Sequence, residues 1–245
     1  MKTPVKLIVL LSLVLSPIGA VADDDASEQV WLDYHNNFYI NPTWEYFGDV
    51  GYRVQASDGS WMKFYGRPSM RWHHSKSPLE LRFGLGAFYT VNKYDTDQFE
   101  LRPFVGVLYK WPTIGPLTFA SYLRLEDRYV WNVDDWSLSH SGRLRYKLST
   151  KLPINKLTGN SYFFVPLSAE IFWDAGDGPE EMFSDDLRLD AGVGYIFSWV
   201  WVAEFHFIVQ RSRSTLGGDL KTTDFIFRFQ LKHLWSAHDD MSQST

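Results

Sequence analysis

Two short stretches bring serine next to histidine, the residue types of a nucleophile and its base. They are residues 139–141 (Ser-His-Ser) and 73–75 (His-His-Ser). A serine nucleophile needs its base within hydrogen-bond reach, and a third group must orient that base. Neighbouring residues of a strand point to opposite faces, so neither Ser139 nor Ser141 can pair directly with His140. We expect His140 in an aromatic belt and His73 and His74 in a solvated turn. The sequence therefore predicts no enzyme.

Metal and cofactor sites have little support in the sequence. Glu204 and His206 are two residues apart and share one strand face, but a third ligand is missing from this segment. The chain contains no cysteine, which excludes cysteine-ligated metals, disulfides and a lipoprotein anchor. We therefore expect no cofactor and no metal.

The remaining candidates are charged residues at every second position of otherwise apolar segments. Residues 187–197 read L-R-L-D-A-G-V-G-Y-I-F, with Arg188 and Asp190 between apolar neighbours. Strands of about 10 residues with this alternation are typical of a membrane barrel, where a charge facing lipid costs about 2–4 kcal/mol. The charged set predicted to line the lumen is therefore Glu80, Arg82, Glu100, Arg102, Arg124, Glu126, Arg128, Arg143, Arg145, Lys147, Glu170, Arg188, Asp190, Glu204, Arg228 and Lys232.

This interior has two interpretations, and the sequence leaves both open. With Lys110 added, the lumen-lining set holds eleven cations and six acids. An open lumen of that composition favours small anionic solutes, as rings of Arg and Lys do in anion pores. Small barrels are instead filled by their side chains, and paired Arg and Glu in such a barrel conduct nothing.

The elements that carry these residues are strands with one apolar face. Eleven strand candidates are separated by Gly, Pro, Asn and Asp turns: 29–40, 43–56, 60–73, 79–91, 98–111, 117–131, 137–151, 161–174, 186–198, 199–211 and 222–235. Bacterial single-chain barrels have an even number of strands, so the count predicts ten or twelve. We expect an all-β, transmembrane, antiparallel up-and-down barrel, with twelve strands as the best estimate.

The domain organisation follows from the two ends of the sequence. Residues 1–22 have a positive start, an apolar core at 7–15 and an A-x-A site at 20–22, as in a cleaved signal peptide. Nine apolar residues are too few for a spanning helix. We therefore expect a signal peptide (1–22), an acidic segment (23–28), the barrel (29–235) and a polar tail (236–245).

The net charge and the aromatic content indicate which classes of partner the protein has. The net charge is -5 and forms no basic stripe, so nucleic acid is excluded as a partner. Many of the eleven Trp lie at segment ends, as in interfacial girdles. We expect outer-membrane lipid and the barrel-assembly machinery as partners. The acidic connections predict Asp95, Asp134 and Glu180 on the cell surface.

Several stretches in order resemble one family. They are 51–53 (G-Y-R), 60–69 (S-W…R-P-S), 84–89 (G-L-G-A-F-Y), 100–106 (E-L-R-P-F-V-G), 124–128 (R-L-E-D-R), 143–148 (R-L-R-Y-K-L), 169–172 (A-E-I-F), 188–195 (R-L-D-A-G-V-G-Y) and 210–213 (Q-R-S-R). Together they resemble a family of Gram-negative proteins with a domain of unknown function, regarded as outer-membrane β-barrels. The resemblance covers nearly all of 29–235. It implies the fold and the location, and it carries no catalytic residues.

The sequence therefore predicts an integral outer-membrane barrel, either a narrow porin-like pore with a net-basic lumen or a wall protein with a filled interior. One alternative is a lipid-modifying outer-membrane hydrolase, with its serine on an adjacent strand. The other is a soluble periplasmic barrel of lipocalin type, which requires apolar residues inside and charges outside.

Overall fold

The computed structural model describes residues 26–154, 162–176, 186–212 and 221–236. The predicted signal peptide, residues 23–25 and the tail beyond 236 lie outside these ranges. The strands are β1 (Ser27–Tyr39), β2 (Trp44–Gln55), β3 (Trp61–Arg67), β4 (Ser69–His73), β5 (Leu79–Asn92), β6 (Gln98–Lys110), β7 (Thr118–Asn132), β8 (Leu138–Pro153), β9 (Phe163–Gly176), β10 (Asp186–Ile196), β11 (Trp201–Ser212) and β12 (Lys221–Ser236). Within the described ranges, no helix is long and apolar enough to cross a membrane.

The strands form one closed barrel. Apart from β3 and β4, strands that follow each other along the chain pair antiparallel, and β1 pairs with both β2 and β12, so the sheet has no free edge. The prediction of an all-β up-and-down barrel is confirmed. Twelve strands are present, but β3 and β4 share one position, so the barrel has eleven positions and the prediction of an even number around it is wrong. The closing pair differs from the predicted antiparallel arrangement, because β1 and β12 run parallel.

The parallel closure has a simple geometric origin. Strands β3 and β4 each pair with β2 on one side and β5 on the other, so together they fill one position around the barrel. Eleven positions result, and each hairpin reverses the chain direction. With an odd number of positions, the first and last strands must run the same way.

The break between β3 and β4 falls at Pro68, inside the segment predicted as one strand over 60–73. Proline has no backbone N–H and interrupts a ladder. The Pro68 carbonyl accepts a hydrogen bond from the Leu85 N–H at 3.1 Å. A Cβ on Gly84 would lie 2.6 Å from that same carbonyl oxygen and 2.5 Å from Ser69 Oγ. Only glycine fits at this position.

The barrel is apolar outside and polar inside. Buried side chains include Glu45, at 0% exposure, and Glu80, at 2%, whereas Phe229 on the outer wall is 51% exposed. Other exposed outer residues are Leu32, Val50, Phe64, Val105, Leu125, Leu189 and Val193. This distribution is the reverse of the one that the lipocalin-type alternative requires.

The barrel has a Ser27 end, where β1 begins, and a Tyr39 end, where β1 finishes. At the Tyr39 end, Trp201 stacks on His233 with ring centroids 3.9 Å apart, and His233 stacks on Trp235 at 4.3 Å. At the Ser27 end, Phe99 stacks on Trp131 at 5.9 Å. Aromatic groups therefore frame the apolar wall at both ends.

Two of the acidic connections lie together at the Ser27 end. The Thr96 hydroxyl donates to Asp134 Oδ2 at 3.3 Å and links the turns at 93–97 and 133–137. Ser137 donates its N–H and its hydroxyl to Asp135 Oδ1 at 2.9 and 2.7 Å, and these bonds lower the pKa of that carboxyl. The third acidic connection, with Glu180, lies outside the described residues.

Candidate functional site in the barrel interior

The interior is organised around shared carboxylates, and one of them is Glu126 on β7, which three arginines share. Arg145 Nη1 donates to Glu126 Oε1 at 2.7 Å, Arg102 Nη1 donates to Oε2 at 3.4 Å, and Arg124 Nε lies 2.8 Å from Oε1. Arg145 also donates from Nη2 to Glu170 Oε1 at 2.6 Å. One arginine thereby joins the carboxylates of β7 and β9 across β8.

The Ser27 half of the interior has a second shared carboxylate, Glu100 on β6. Arg102 Nη2 and Arg128 Nε both donate to Glu100 Oε1 at 2.7 Å. Arg143 forms a two-bond ion pair with Asp174, with Nη2 donating to Oδ2 at 2.7 Å. Each of these arginines is therefore neutralised by a carboxylate on its own strand or a neighbouring one.

The Tyr39 half contains two carboxylates that share one histidine. Arg82 Nε donates to Glu80 Oε1 at 2.5 Å, and Arg71 Nη1 donates to Glu45 Oε1 at 3.1 Å. His73 Nε2 lies 3.0 Å from Glu45 Oε2, and its Nδ1 lies 3.6 Å from Glu80 Oε2. His73 is the last residue of β4 and points inward, so the prediction that it lies in a solvated turn is wrong. Only His74 lies in the turn.

His206 lies between two carboxylates inside the barrel. Its Nδ1 is 2.7 Å from Asp190 Oδ1, and its Nε2 is 2.9 Å from Glu204 Oε2. Lys232 Nζ lies 2.6 Å from the other oxygen of Glu204. Among the described residues, no group of three His, Cys, Asp or Glu could hold a metal ion. The cluster is an ion-pair chain.

Aromatic rings occupy the space between the charged groups. The Trp31 ring is contacted by the guanidinium carbons of Arg53 at 4.0 Å and of Arg188 at 5.5 Å. Arg188 also lies 4.5 Å from the Phe172 ring. Because β10 and β1 are separated by β11 and β12, Arg188 reaches across the interior. Phe172 and Ile226 have no exposed surface at all, so this part of the interior is filled.

All sixteen residues of the predicted lumen-lining set lie on strands, and ion pairs connect most of them. Those with a carboxylate or cation partner within 4.0 Å are Glu80, Arg82, Glu100, Arg102, Arg124, Glu126, Arg128, Arg143, Arg145, Glu170, Asp190, Glu204, Arg228 and Lys232. In the described part of the chain, Lys147 and Arg188 have no such ion pair. Arg188 Nε donates instead to Gln210 Oε1 at 2.7 Å.

Sequence reasoning missed the interior charges of the first four strands and one on β9. These are Asp33, His35, Glu45, Asp49, Arg53, Lys63, Arg67, Arg71 and Asp174. A signal existed in β1, where Trp31, Asp33 and His35 occupy alternate positions. Its outward positions include Tyr34 and Asn36, so the contrast between the two faces is weak.

The serine–histidine candidates do not form a catalytic pair. On the outer wall, His140 Nε2 lies 2.5 Å from Asp127 Oδ1, and its ring stacks on Tyr129 at 4.8 Å. Ser139 Oγ contacts the Val130 carbonyl at 3.5 Å. In the described ranges, no serine hydroxyl contacts His140.

Comparison with known proteins gives a family and one structural likeness. A family model described as "Protein of unknown function (DUF2490)" matches residues 28–220. No curated protein matches the chain. Among solved structures, an anion-selective porin from Comamonas acidovorans is similar at 11% identity and a TM-score of 0.35. The alignment covers 75% of this chain and 53% of the porin, so the chain spans about half of that porin's length.

Proposed function

Because the chain belongs to the DUF2490 family of proteins of unknown function, which assigns it no activity, we propose a function from the barrel itself. The protein is an integral outer-membrane β-barrel of a Gram-negative cell whose interior is filled by side chains. It acts as a wall protein and not as an open porin. Residues 1–22 direct its export, and the barrel-assembly machinery inserts it among its lipid partners.

The observation that carries the membrane location is the inverted distribution of side chains. The outer wall exposes many Leu, Val and Phe side chains, whereas carboxylates such as Glu45 and Glu80 are buried. Soluble monomers rarely expose apolar patches of more than a few hundred Å². Lipid is the solvent for which an apolar wall around a polar interior is favourable.

The filled interior is supported by contacts that cross it. The Arg188 guanidinium touches both Trp31 on β1 and Phe172 on β9. The Tyr65 hydroxyl on β3 donates to Asp33 Oδ1 on β1 at 2.6 Å, over the intervening β2. Barrels of modest strand number are closed in this way by their own side chains. These contacts favour a wall protein over a conducting pore.

Membrane location is tested by fractionation combined with gel migration. We expect the protein in the outer-membrane fraction after urea extraction, and we expect unheated samples to migrate differently from boiled ones. A peripheral protein with a dissimilar fold, added to the same vesicles, serves as the extraction control. Release of the folded protein into the urea supernatant would contradict the membrane assignment.

The filled interior is tested by planar-bilayer recording of the refolded full chain. We expect no steady conductance, because ion pairs and aromatic contacts between interior side chains fill a barrel of this size. An established open porin reconstituted in parallel controls for insertion. Long-lived, uniform conductance steps from this protein would show that it is a pore and would contradict the proposal of a wall protein.

A further inference from the structure

Three interior cations at the Ser27 end have no carboxylate partner in the part of the chain that the structure describes. No Asp or Glu oxygen among the described residues lies within 4.0 Å of Arg53, Lys63 or Arg188, although the other arginines nearby are all paired. The Arg53 Nε is buried and has no hydrogen-bond acceptor. A buried donor without an acceptor is unfavourable, and more so when the group is charged.

The nearby carboxylates are already engaged by other groups. Asp33 accepts from Arg228 Nε at 2.5 Å and from the Tyr65 hydroxyl at 2.6 Å. Glu100 accepts from Arg102 and Arg128, each at 2.7 Å. Among the described residues, these two carboxylates form no ion pair with Arg53, Lys63 or Arg188.

Strand register brings the three cations to one place. Arg53 on β2 lies directly opposite Lys63 on β3 and directly opposite Trp31 on β1. Arg188 reaches the same Trp31 ring from β10. Like charges directly opposite each other on a sheet are destabilising. The repulsion between these cations destabilises the empty barrel. A bound anion would neutralise them and turn the repulsion into attraction.

We propose that Arg53, Lys63 and Arg188 form a binding site for a small oxyanion, a solute bearing a phosphate or carboxylate group, with Trp31 as its floor. The planar guanidinium fork matches two oxygens of such a group, and the lysine adds a point charge. Arg53, Lys63 and Arg188 each keep some solvent-exposed surface. The Trp31 N–H donates to Gln29 Oε1 at 2.8 Å, and its ring supports the Arg53 guanidinium at 4.0 Å.

The site deepens the proposed function but can be tested apart from it. A filled barrel with this site holds an anion without conducting it. Binding is measured on refolded full-length protein in neutral detergent, so a failure to bind leaves the membrane and conductance results unchanged. A failure of those results likewise leaves the binding measurement valid.

The experiment is calorimetric titration with inorganic phosphate at constant ionic strength, with chloride as the reference anion. We expect saturable binding, weakened about tenfold or more in the double variant Arg53→Gln/Lys63→Gln, because charge-assisted hydrogen bonds contribute about 1.5–3 kcal/mol. The control is Lys93→Gln, which removes one positive charge from an exposed turn at the same end of the barrel. It should bind phosphate as the wild type does.

Folding of the variants provides an independent readout. Without phosphate, Lys63→Gln should unfold at the same temperature as the wild type or higher, because Lys63 has no carboxylate within 4.0 Å among the described residues and faces Arg53. Added phosphate should raise the unfolding temperature of the wild type more than that of this variant. Equal phosphate responses in the wild type and Lys63→Gln, or an adventitious response shared by chloride, would overturn the proposal.

Discussion

Arg228 on β12 donates its Nε–H to Asp33 Oδ2 on β1 at 2.5 Å, across the parallel pair that closes the barrel. The Tyr65 hydroxyl on β3 donates to the other oxygen of the same carboxylate at 2.6 Å. Parallel ladders are slightly less stable per residue than antiparallel ones. A buried, doubly bonded carboxylate at this seam therefore ties together the two strands whose pairing is weakest by geometry.

The seam ion pair should be essential for stability. Asp33→Asn leaves the Arg228 guanidinium buried without a counter-charge, so the free energy of unfolding should fall by about 3–5 kcal/mol. Urea unfolding of the barrel in lipid vesicles measures this change. Arg228→Gln and the double variant complete a thermodynamic cycle. Additive single losses would show that the two side chains do not interact.

Gly84 should not tolerate a side chain, whereas Gly66 should. A Cβ on Gly84 would approach the Pro68 carbonyl oxygen to 2.6 Å, but a Cβ on Gly66 would meet only Val50 Cγ1, at 3.8 Å. Gly84→Ala should therefore lower the free energy of unfolding by about 1–3 kcal/mol. Gly66→Ala is the matched control, and vesicle unfolding measures both. Equal stability of the two variants would contradict the close packing at the β3–β4 break.

An arginine on the outer wall should block insertion. Phe229 is 51% exposed on β12, and Phe229→Arg places a charge against lipid at a cost of about 2–4 kcal/mol. Tyr94→Arg is the control, because Tyr94 is 74% exposed in a turn. Refolding yield into vesicles is the measurement. Similar yields for the two variants would argue for a barrel that is surrounded by water.

Removal of the Trp31 ring should open the barrel interior to ions. Trp31→Ala deletes the ring that Arg53, Arg188 and Arg228 contact, and truncation of a buried large side chain leaves a cavity. We expect conductance events in planar bilayers that the wild type lacks. Trp235→Ala, on the outer rim, should stay silent. If the Trp31→Ala variant shows no conductance, other side chains close the interior.

The strands were predictable because alternation is strong wherever Leu, Val and Phe face out and Arg or Glu face in. In β10, Arg188 and Asp190 lie between apolar neighbours, and the segment was placed within two residues of its observed end. In β1 both faces carry polar groups. The difference in polarity between the two faces was therefore too small to predict that Asp33 and His35 point inward.

The pairings inside the barrel were not predictable. Whether Arg145 reaches Glu126 and Glu170 depends on the register of three strands, and that register follows from the closure of the whole barrel. The parallel seam follows from the eleven strand positions around the barrel. It was not predictable because single-chain bacterial barrels have an even number of strands.

The parallel seam also determines where the chain enters and leaves the membrane. Since β1 and β12 run in the same direction, Ser27 and Ser236 lie at opposite mouths of the barrel. In a bilayer, Ser27 and Ser236 therefore face different compartments. Epitope tags beside these two residues should therefore differ in their exposure to protease added to intact cells: one is cleaved at the surface, and the other is protected in the periplasm.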